Sequence, residues 1–418
     1  MLICAFSATA FPWQLYNQEV IQEENKVPSY TLPDLLMKSD GKRVESAAEW
    51  EKLLRSQTLQ TFETEVYGQI PNQEVAVTYE ENLLHAKTLK DFGSIREIRF
   101  SIEKDGNRIQ AVLLLILPDR SSPVPVFLGY NFNGNHTIHP DESISLPESW
   151  VANSPEMGVR ENRPSPNSRG KKSSRWAVQQ ILERGYGLAT MYYGDIDPDF
   201  DDGFENGVHS LFSKNKTREK DDWGSIATWA WGLSRVMDYF ETNPLIDKNK
   251  VCVLGHSRLG KAALFAGAND KRFALVISNN SGCGGAALSK RRFGETVAAI
   301  NDRFPHWFCE NFKKYNHNED QLPVDQHQLL ALMAPRPVYV ASAAEDLWAD
   351  PKGEFLAAKN ASAVYRLYGL KGLQLQEMPE VNKPHIDGYI GYHIRSGVHD
   401  LTAYDWEQFL NFADARLK

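Results

Sequence analysis

From Ala47 to Val66 apolar positions recur every three or four residues with Glu and Lys between them, a period that predicts an outer helix. Two β-rich runs follow, REIRFSIEKDG and RIQAVLLLILP, and Asp105-Gly106-Asn107 between them reads as a hairpin turn. An antiparallel edge to a sheet is therefore expected. VPVFLGYNFNGNH is a short apolar strand running into a Gly- and Asn-rich loop, the form of a strand that feeds a functional loop. Residues 137–174, rich in Pro, Ser, Asn and charge, read as a long surface insertion. Beyond them a helix around WAVQQILERG leads into GLATMYYGD, and the Trp-rich helix DWGSIATWAWGLSRVMDYFETN precedes KVCVLGHS. Strands at ALVISNN and RPVYVASA, each followed by a polar loop, and a closing helix DWEQFLNFADARL complete the alternation. Such alternation predicts an α/β fold: a mostly parallel central sheet with an antiparallel N-terminal edge and flanking helices.

Composition narrows the function classes. With 418 residues and 42% hydrophobic content the chain can bury a sizeable core. A formal net charge of −8 argues against nucleic acid, because neutralising phosphates takes clustered Lys and Arg. The basic run Arg169, Lys171, Lys172 and Arg175 lies in a polar loop and reads as solvated surface. Cys4, Cys252, Cys283 and Cys309 lack C-x-x-C spacing, so neither a metal site nor a disulfide scaffold is indicated. Cys252 reads as a small core residue, and a bridge between Cys283 and Cys309 stays open for an exported protein. No apolar window reaches transmembrane length, and a membrane is not an expected partner. MLICAFSATAF at the start resembles the end of a secretory h-region without its basic n-region, so residues 1–13 read as a truncated signal segment ahead of one domain spanning 14–418, and a secreted or periplasmic location is expected.

The candidate chemistry lies in VCVLGHSRLGKAALFAG, where a β-branched strand runs straight into a small-residue helix with Ser257 at the turn. This is the context of a G-x-S-x-G nucleophile elbow, and Gly255 and Gly260 supply the small neighbours that a sharp turn needs. The second glycine comes one place late, with Leu259 in its usual position. Taken alone, the pattern also fits a serine capping an ordinary helix. An α/β-hydrolase further requires an acid and then a histidine, in that order. RPVYVASAAEDLWADP is a late strand followed at once by Glu345, Asp346 and Asp350, and SGVHDLTAYDWEQFLNFAD places His399 in a loop before the last helix. A neutral imidazole there can take the serine proton as acyl attack begins, with the acid holding its tautomer. His385, in a loop after Pro384, and His393, in the strand-like GYHIR, are the competing bases.

Set side by side, GHSRLGK, SNNSGCGGAAL, FGE, EDLWADP and GYHIRSGVHDLTAYDWEQF resemble the bacterial glucuronoyl esterases, family fifteen of the carbohydrate esterases, over residues 90–415. The resemblance implies a serine esterase that cleaves esters between 4-O-methyl-glucuronic acid side chains of glucuronoxylan and lignin alcohols, with no cofactor or metal and with the enzyme as a monomer. It implies Ser257 as nucleophile, Arg258 as an oxyanion-stabilising residue, Lys261 as a contact to sugar hydroxyls, Glu295 as a sugar-binding carboxylate and Trp348 as a wall of the uronate pocket. Arg and Lys in a first helical turn oppose the helix dipole, which favours a functional reason for them. Fungal members carry the triad acid where this chain has Asn280, so the role passes to the EDLWADP loop, with Asp346 first, Glu345 second and Asp350 third. Two rival readings stand beside this one: an acetyl-xylan, feruloyl or other carbohydrate esterase on the same fold, and a non-catalytic carbohydrate-binding protein.

Overall fold

Unbroken apolar runs such as 251–254 and 275–277 have no polar face to turn to water, so they form strands covered on both sides. In the computed structural model, which describes residues 20–88, 93–212 and 217–418, they lie at the centre of a sheet. The segment read as a signal remnant, with Cys4, falls outside the described residues. The strands are β1 (Ala76–Thr88), β2 (Gly93–Lys104), β3 (Asn107–Pro118), β4 (Val124–Asn131), β5 (Gly187–Tyr192), β6 (Ile246–His256), β7 (Leu275–Asn279), β8 (Val338–Ala343) and β9 (Ile390–Arg395). Their order is β1-β2-β3-β5-β4-β6-β7-β8-β9, antiparallel as far as the β3–β5 pair and parallel from β5 to β9. This is the α/β-hydrolase arrangement, with the antiparallel N-terminal edge that the sequence predicts. The C-terminal ends of β6, β7 and β8 adjoin one another, so the loops leaving them share one rim.

The hairpin falls where expected: Asp105 and Gly106 both take left-handed conformations, with φ of 50° and 80°, and Lys104 pairs with Asn107. A two-residue turn of this hand matches the twist of the strands it joins. The outer helix also forms, but with wide turns. The helix Arg55–Phe62 is flanked by π-helical turns at Trp50–Leu54 and Glu63–Tyr67, and Trp50, Phe62, Val66 and Tyr67 are all fully buried. β1 has no counterpart in the sequence reading. It is an edge strand paired on one side only, mostly half-buried or exposed, and its EENLLHAK stretch lacks the β-branched residues that mark a strand.

Between β4 and the helix Val178–Glu183 the chain forms short 3-10 turns and loops, and its two ends are stitched together. His136 O accepts from Gly170 N at 2.9 Å, Thr137 O accepts from Lys172 N at 2.9 Å, and the His136 ring meets Ser168 Oγ at 2.7 Å. The basic run within this insertion is largely spent on the protein itself. Arg169 donates to the carbonyls of Asp141 and Ile144, Lys171 to that of Glu156, and Arg175 pairs with Asp400 at 2.6 Å. Cys252, Cys283 and Cys309 are separate, buried free thiols, so the bridge left open between Cys283 and Cys309 is not formed. Among the described residues no helix is long and apolar enough to cross a membrane.

The buried Arg55 ties the outer helix to the core. Its Nη2 donates to Ala268 O at 2.9 Å and to Leu332 O at 3.3 Å, the former in the last turn of the helix Arg258–Asn269. A cation at helix C-terminal carbonyls is favourably placed. Arg55→Ala should therefore lower stability by about 2 kcal/mol, read from urea denaturation, because buried carbonyls lose a charged donor. Ser257 lies at the other end of that helix, roughly 17 Å away at 1.5 Å per residue, so its rate of reaction with a phosphonate should not change.

Candidate active site

β6 ends at His256 and the next helix begins at Arg258, which leaves Ser257 alone to turn the chain. It does so at φ 58° and ψ −131°, a conformation that L-residues rarely adopt. The Ser257 side chain makes no capping bond to the helix it precedes, so the hydroxyl is not spent as a cap. Its backbone N–H is held instead by Asn279 O of β7 at 2.9 Å. Gly255 is required by the tightness of the turn, since a Cβ there would lie 1.9 Å from Leu259 O. The displaced glycine also has its reason. Leu259 points into the core, and the close approach to the neighbouring loop falls at Gly260, where a Cβ would meet Gly255 O and Ser281 Cβ at 3.0 Å.

His399, on the loop after β9, has its Nδ1 2.5 Å from Asp346 Oδ2, and its ring lies 4.5 Å, centroid to centroid, from that of His256, the neighbour of Ser257. The His399 side chain is 42% exposed whereas that of Asp346 is 6% exposed, an open imidazole on a buried carboxylate. Of the three carboxylates in the loop, Asp346 is the one that meets the histidine. Glu345 points to solvent, and its backbone N–H bonds Gly397 O at 3.1 Å, which joins the acid loop to the histidine loop. Asp350 caps the helix Pro351–Leu367 by accepting from Gly353 N and pairs with Arg291 Nε at 2.8 Å. Asn280, just after β7, donates from Nδ2 to the same Asp346 Oδ2 at 2.9 Å. Of the competing histidines, His393 is fully buried between Asp405 and Tyr339, and His385 sits on a backbone bridge to Tyr392.

The two cations of the first helical turn are both counterbalanced. Arg258 donates from Nη1 to Asp199 Oδ2, and its guanidinium lies 4.7 Å from the Trp307 ring centroid and 5.3 Å from that of Phe304. Burial pulls the Arg258 pKa down, but the Asp199 charge and hydrogen bond together with Tyr193 and Glu295 outweigh it and the net shift is upward. Asp199 itself is pushed up by burial and pulled further down by His306, by the Arg258 charge and by Trp307, so it lies well below the usual carboxylate range. It meets His306 Nε2 at 2.9 Å and accepts from Trp307 Nε1 at 2.7 Å and Tyr193 Oη at 2.9 Å. Lys261 is buried deeper: its Nζ donates to Ser281 O at 2.6 Å and to Cys283 O, and lies 3.8 Å from Glu295 Oε2. Desolvation lowers its pKa. Glu295 is fixed in turn, because its N–H bonds Trp348 O at 3.0 Å. Arg258, Lys261, Glu295 and Trp348, singled out separately along the chain, are thus linked in one region beside Ser257.

Asp199, Trp307 and Glu354 escaped the sequence reading. A signal for Asp199 was present, since YYGDIDPDF follows β5 directly, where loops at strand ends carry function. Three acids share that stretch, however, and only their surroundings separate them: Asp195 accepts from Ser149 Oγ and Val112 N, and Asp197 lies 3.6 Å from His209. Glu354 is wholly buried behind the site. Its carboxylate accepts from Ser281 N at 2.8 Å, Gly282 N at 3.1 Å and Ser342 Oγ at 2.6 Å, which shapes the loop that binds Lys261. Burial pushes its carboxyl up to about 8, against the Ser342 hydrogen bond. Among the described residues no group of three or more His, Cys, Asp or Glu is arranged to hold a metal ion.

Comparison with known proteins agrees with this geometry. The family pattern "Glucuronyl esterase, fungi" matches residues 206–369. A carbohydrate esterase from an unknown prokaryotic organism is 50% identical over 94% of this chain and 91% of its own. A solved structure described as a promiscuous CE15 esterase from a marine bacterial metagenome superposes with a TM-score of 0.90 at 49% identity, covering 96% of this chain and 100% of that one. The glucuronoyl esterase from Solibacter usitatus does so with a TM-score of 0.88 at 46% identity, over 94% and 100% of the two chains. A serine on a strained elbow, a histidine resting on a buried aspartate and likeness over nearly the whole chain together place this protein in carbohydrate esterase family 15, the glucuronoyl esterases.

Proposed function

We propose that the protein hydrolyses the ester between 4-O-methyl-glucuronic acid side chains of glucuronoxylan and lignin alcohols through an acyl-enzyme on Ser257. The observation that carries this reading is the convergence of a charged Arg258, a buried Lys261–Glu295 pair and Trp348 on the elbow that holds Ser257. A small acetate offers such a group of charges nothing to bind, whereas a uronate ring presents several hydroxyls. A secreted or periplasmic location suits a polymeric substrate of this kind.

In the proposed mechanism His399 takes the Ser257 proton as Oγ attacks the uronate carbonyl, and Asp346 holds the imidazole by its Nδ1–H and balances the imidazolium. Negative charge gathers on the former carbonyl oxygen, where Arg258, oriented by Asp199, supplies charged donors that need no reorganisation. The C–O bond to the alcohol then breaks, with His399 returning the proton to the leaving oxygen. Water, activated by the same imidazole, cleaves the acyl-enzyme. Asn280 orients Asp346, and Lys261 with Glu295 and Trp348 holds the sugar.

The direct test is hydrolysis of benzyl glucuronate beside 4-nitrophenyl acetate. Preference for the glucuronate, abolished by Ser257→Ala in a protein that still folds, is the expected result; turnover of the acetate alone would favour a general carbohydrate esterase. The choice of acid separates cleanly. Asp346→Asn should lower kcat by roughly a thousandfold or more, and Glu345→Gln should leave it within about twofold, since only the former carboxylate meets His399. Asp199→Asn should lower kcat by roughly ten- to a hundredfold with a smaller change in KM, as steady-state kinetics would read, because Arg258 loses its anchor while the sugar contacts remain.

A further inference from the structure

One buried carboxylate that the mechanism leaves unused touches both halves of the catalytic apparatus. Asp405, wholly buried in the first turn of the last helix, forms a capping box with Thr402, whose N and Oγ1 both donate to Oδ2 at 2.7 Å. A cap needs no more than this, yet Asp405 makes three further contacts. Oδ2 accepts from Arg395 Nε at 2.9 Å, and Oδ1 lies 2.9 Å from His393 Nε2 and accepts from Asn279 Nδ2 at 3.2 Å.

Two of these contacts, those of Arg395 and Asn279, lead toward the reacting groups. The rest of the Arg395 guanidinium donates to Ser396 O at 2.9 Å, Val398 O at 3.1 Å and Asp400 O at 2.6 Å, carbonyls before and after His399. One planar cation thereby sets the path of the loop that carries the imidazole. On the other side, Asn279 meets His256 Nδ1 at 2.5 Å through its side chain and holds Ser257 N through its own carbonyl at 2.9 Å. Burial lowers the His393 pKa, and a neutral ring with its proton on Nε2 can donate to Asp405 while Nδ1 accepts from Tyr339. The cluster is thus satisfied without a proton leaving it.

We infer that Arg395 and Asp405 are positioning residues that set the His399 imidazole against the Ser257 elbow and act on the reaction through His399. The inference rests on His399 being the base. A buried ion pair that merely stabilised the last helix would also be costly to break, so loss of activity on its own does not discriminate. Arg395→Lys keeps the buried positive charge, but one ammonium cannot reach Asp405 and three carbonyls at once.

The test is a double-mutant cycle on benzyl glucuronate, with rates normalised to folded protein by circular dichroism, a readout that does not depend on His399. Arg395→Lys should lower kcat by roughly ten- to a hundredfold with KM within about twofold, the scale on which a small misplacement of a catalytic group acts. In a His399→Ala background the same substitution should cost nothing further. Equal fold-losses in both backgrounds, or a rise in KM with kcat preserved, would overturn the inference. Asp405→Asn, which keeps the size and removes the charge, goes through the same cycle with the same expectation and decides the matter if Arg395→Lys does not fold. Near-wild-type turnover in His399→Ala itself would instead remove the base assignment, a result separate from either outcome of the cycle.

Discussion

Everything at this site depends on a strand and a helix that meet with one residue between them. A turn that short cannot be made in the usual backbone regions, so Ser257 is held at φ 58°, and the cost, of order 1–3 kcal/mol, is met by the core on either side. The same constraint dictates the neighbours. Gly255 lies under the carbonyl of Leu259, β7 must supply Asn279 O to hold the serine N–H, and Gly260 must be bare where the loop after β7 passes over it. The hydroxyl is left at the rim of the sheet with no capping duty, where loops from β5, β7, β8 and β9 converge.

A helix N-terminus attracts anions, and this one starts with Arg258 and has Lys261 within its first turn. Their charges are tolerated because each has an answer built at a distance in sequence. Asp199 reaches Arg258 from the loop after β5, and Glu295 approaches Lys261 from beyond β7 while two loop carbonyls accept its hydrogen bonds. Asp199 in turn is satisfied by His306, Trp307 and Tyr193. The result is a buried patch in which the Arg258 guanidinium is held in one place, as the oxyanion role proposed for it requires.

The carboxylate under His399 comes from the loop after β8 rather than the one after β7, and Asn280 on the latter is not idle. Asn280 cannot balance an imidazolium, but its amide can orient a carboxylate that does, and it binds the same oxygen that faces His399. Glu354 supports this from behind by fixing the backbone N–H groups of Ser281 and Gly282. Two adjacent loops therefore share one task, with the charge on one and its alignment on the other.

Local pattern alone determined much of this protein. Period and turn chemistry marked the hairpin at Asp105-Gly106, the apolar strands from β2 to β8 and the elbow at Ser257, because each depends on residues within a few positions of one another. It did not mark β1, whose half-exposed edge carries too weak an apolar signal, nor the π turns that seat Trp50 and Tyr67 in the core. The tertiary structure decided which of three carboxylates meets His399, which of three aspartates after β5 anchors Arg258, that Lys261 is gripped by carbonyls, and that Asp405 joins two loops. Those outcomes turn on ångström-scale approach between segments tens to hundreds of residues apart, which chain spacing does not encode and which the packing of the sheet alone brings about.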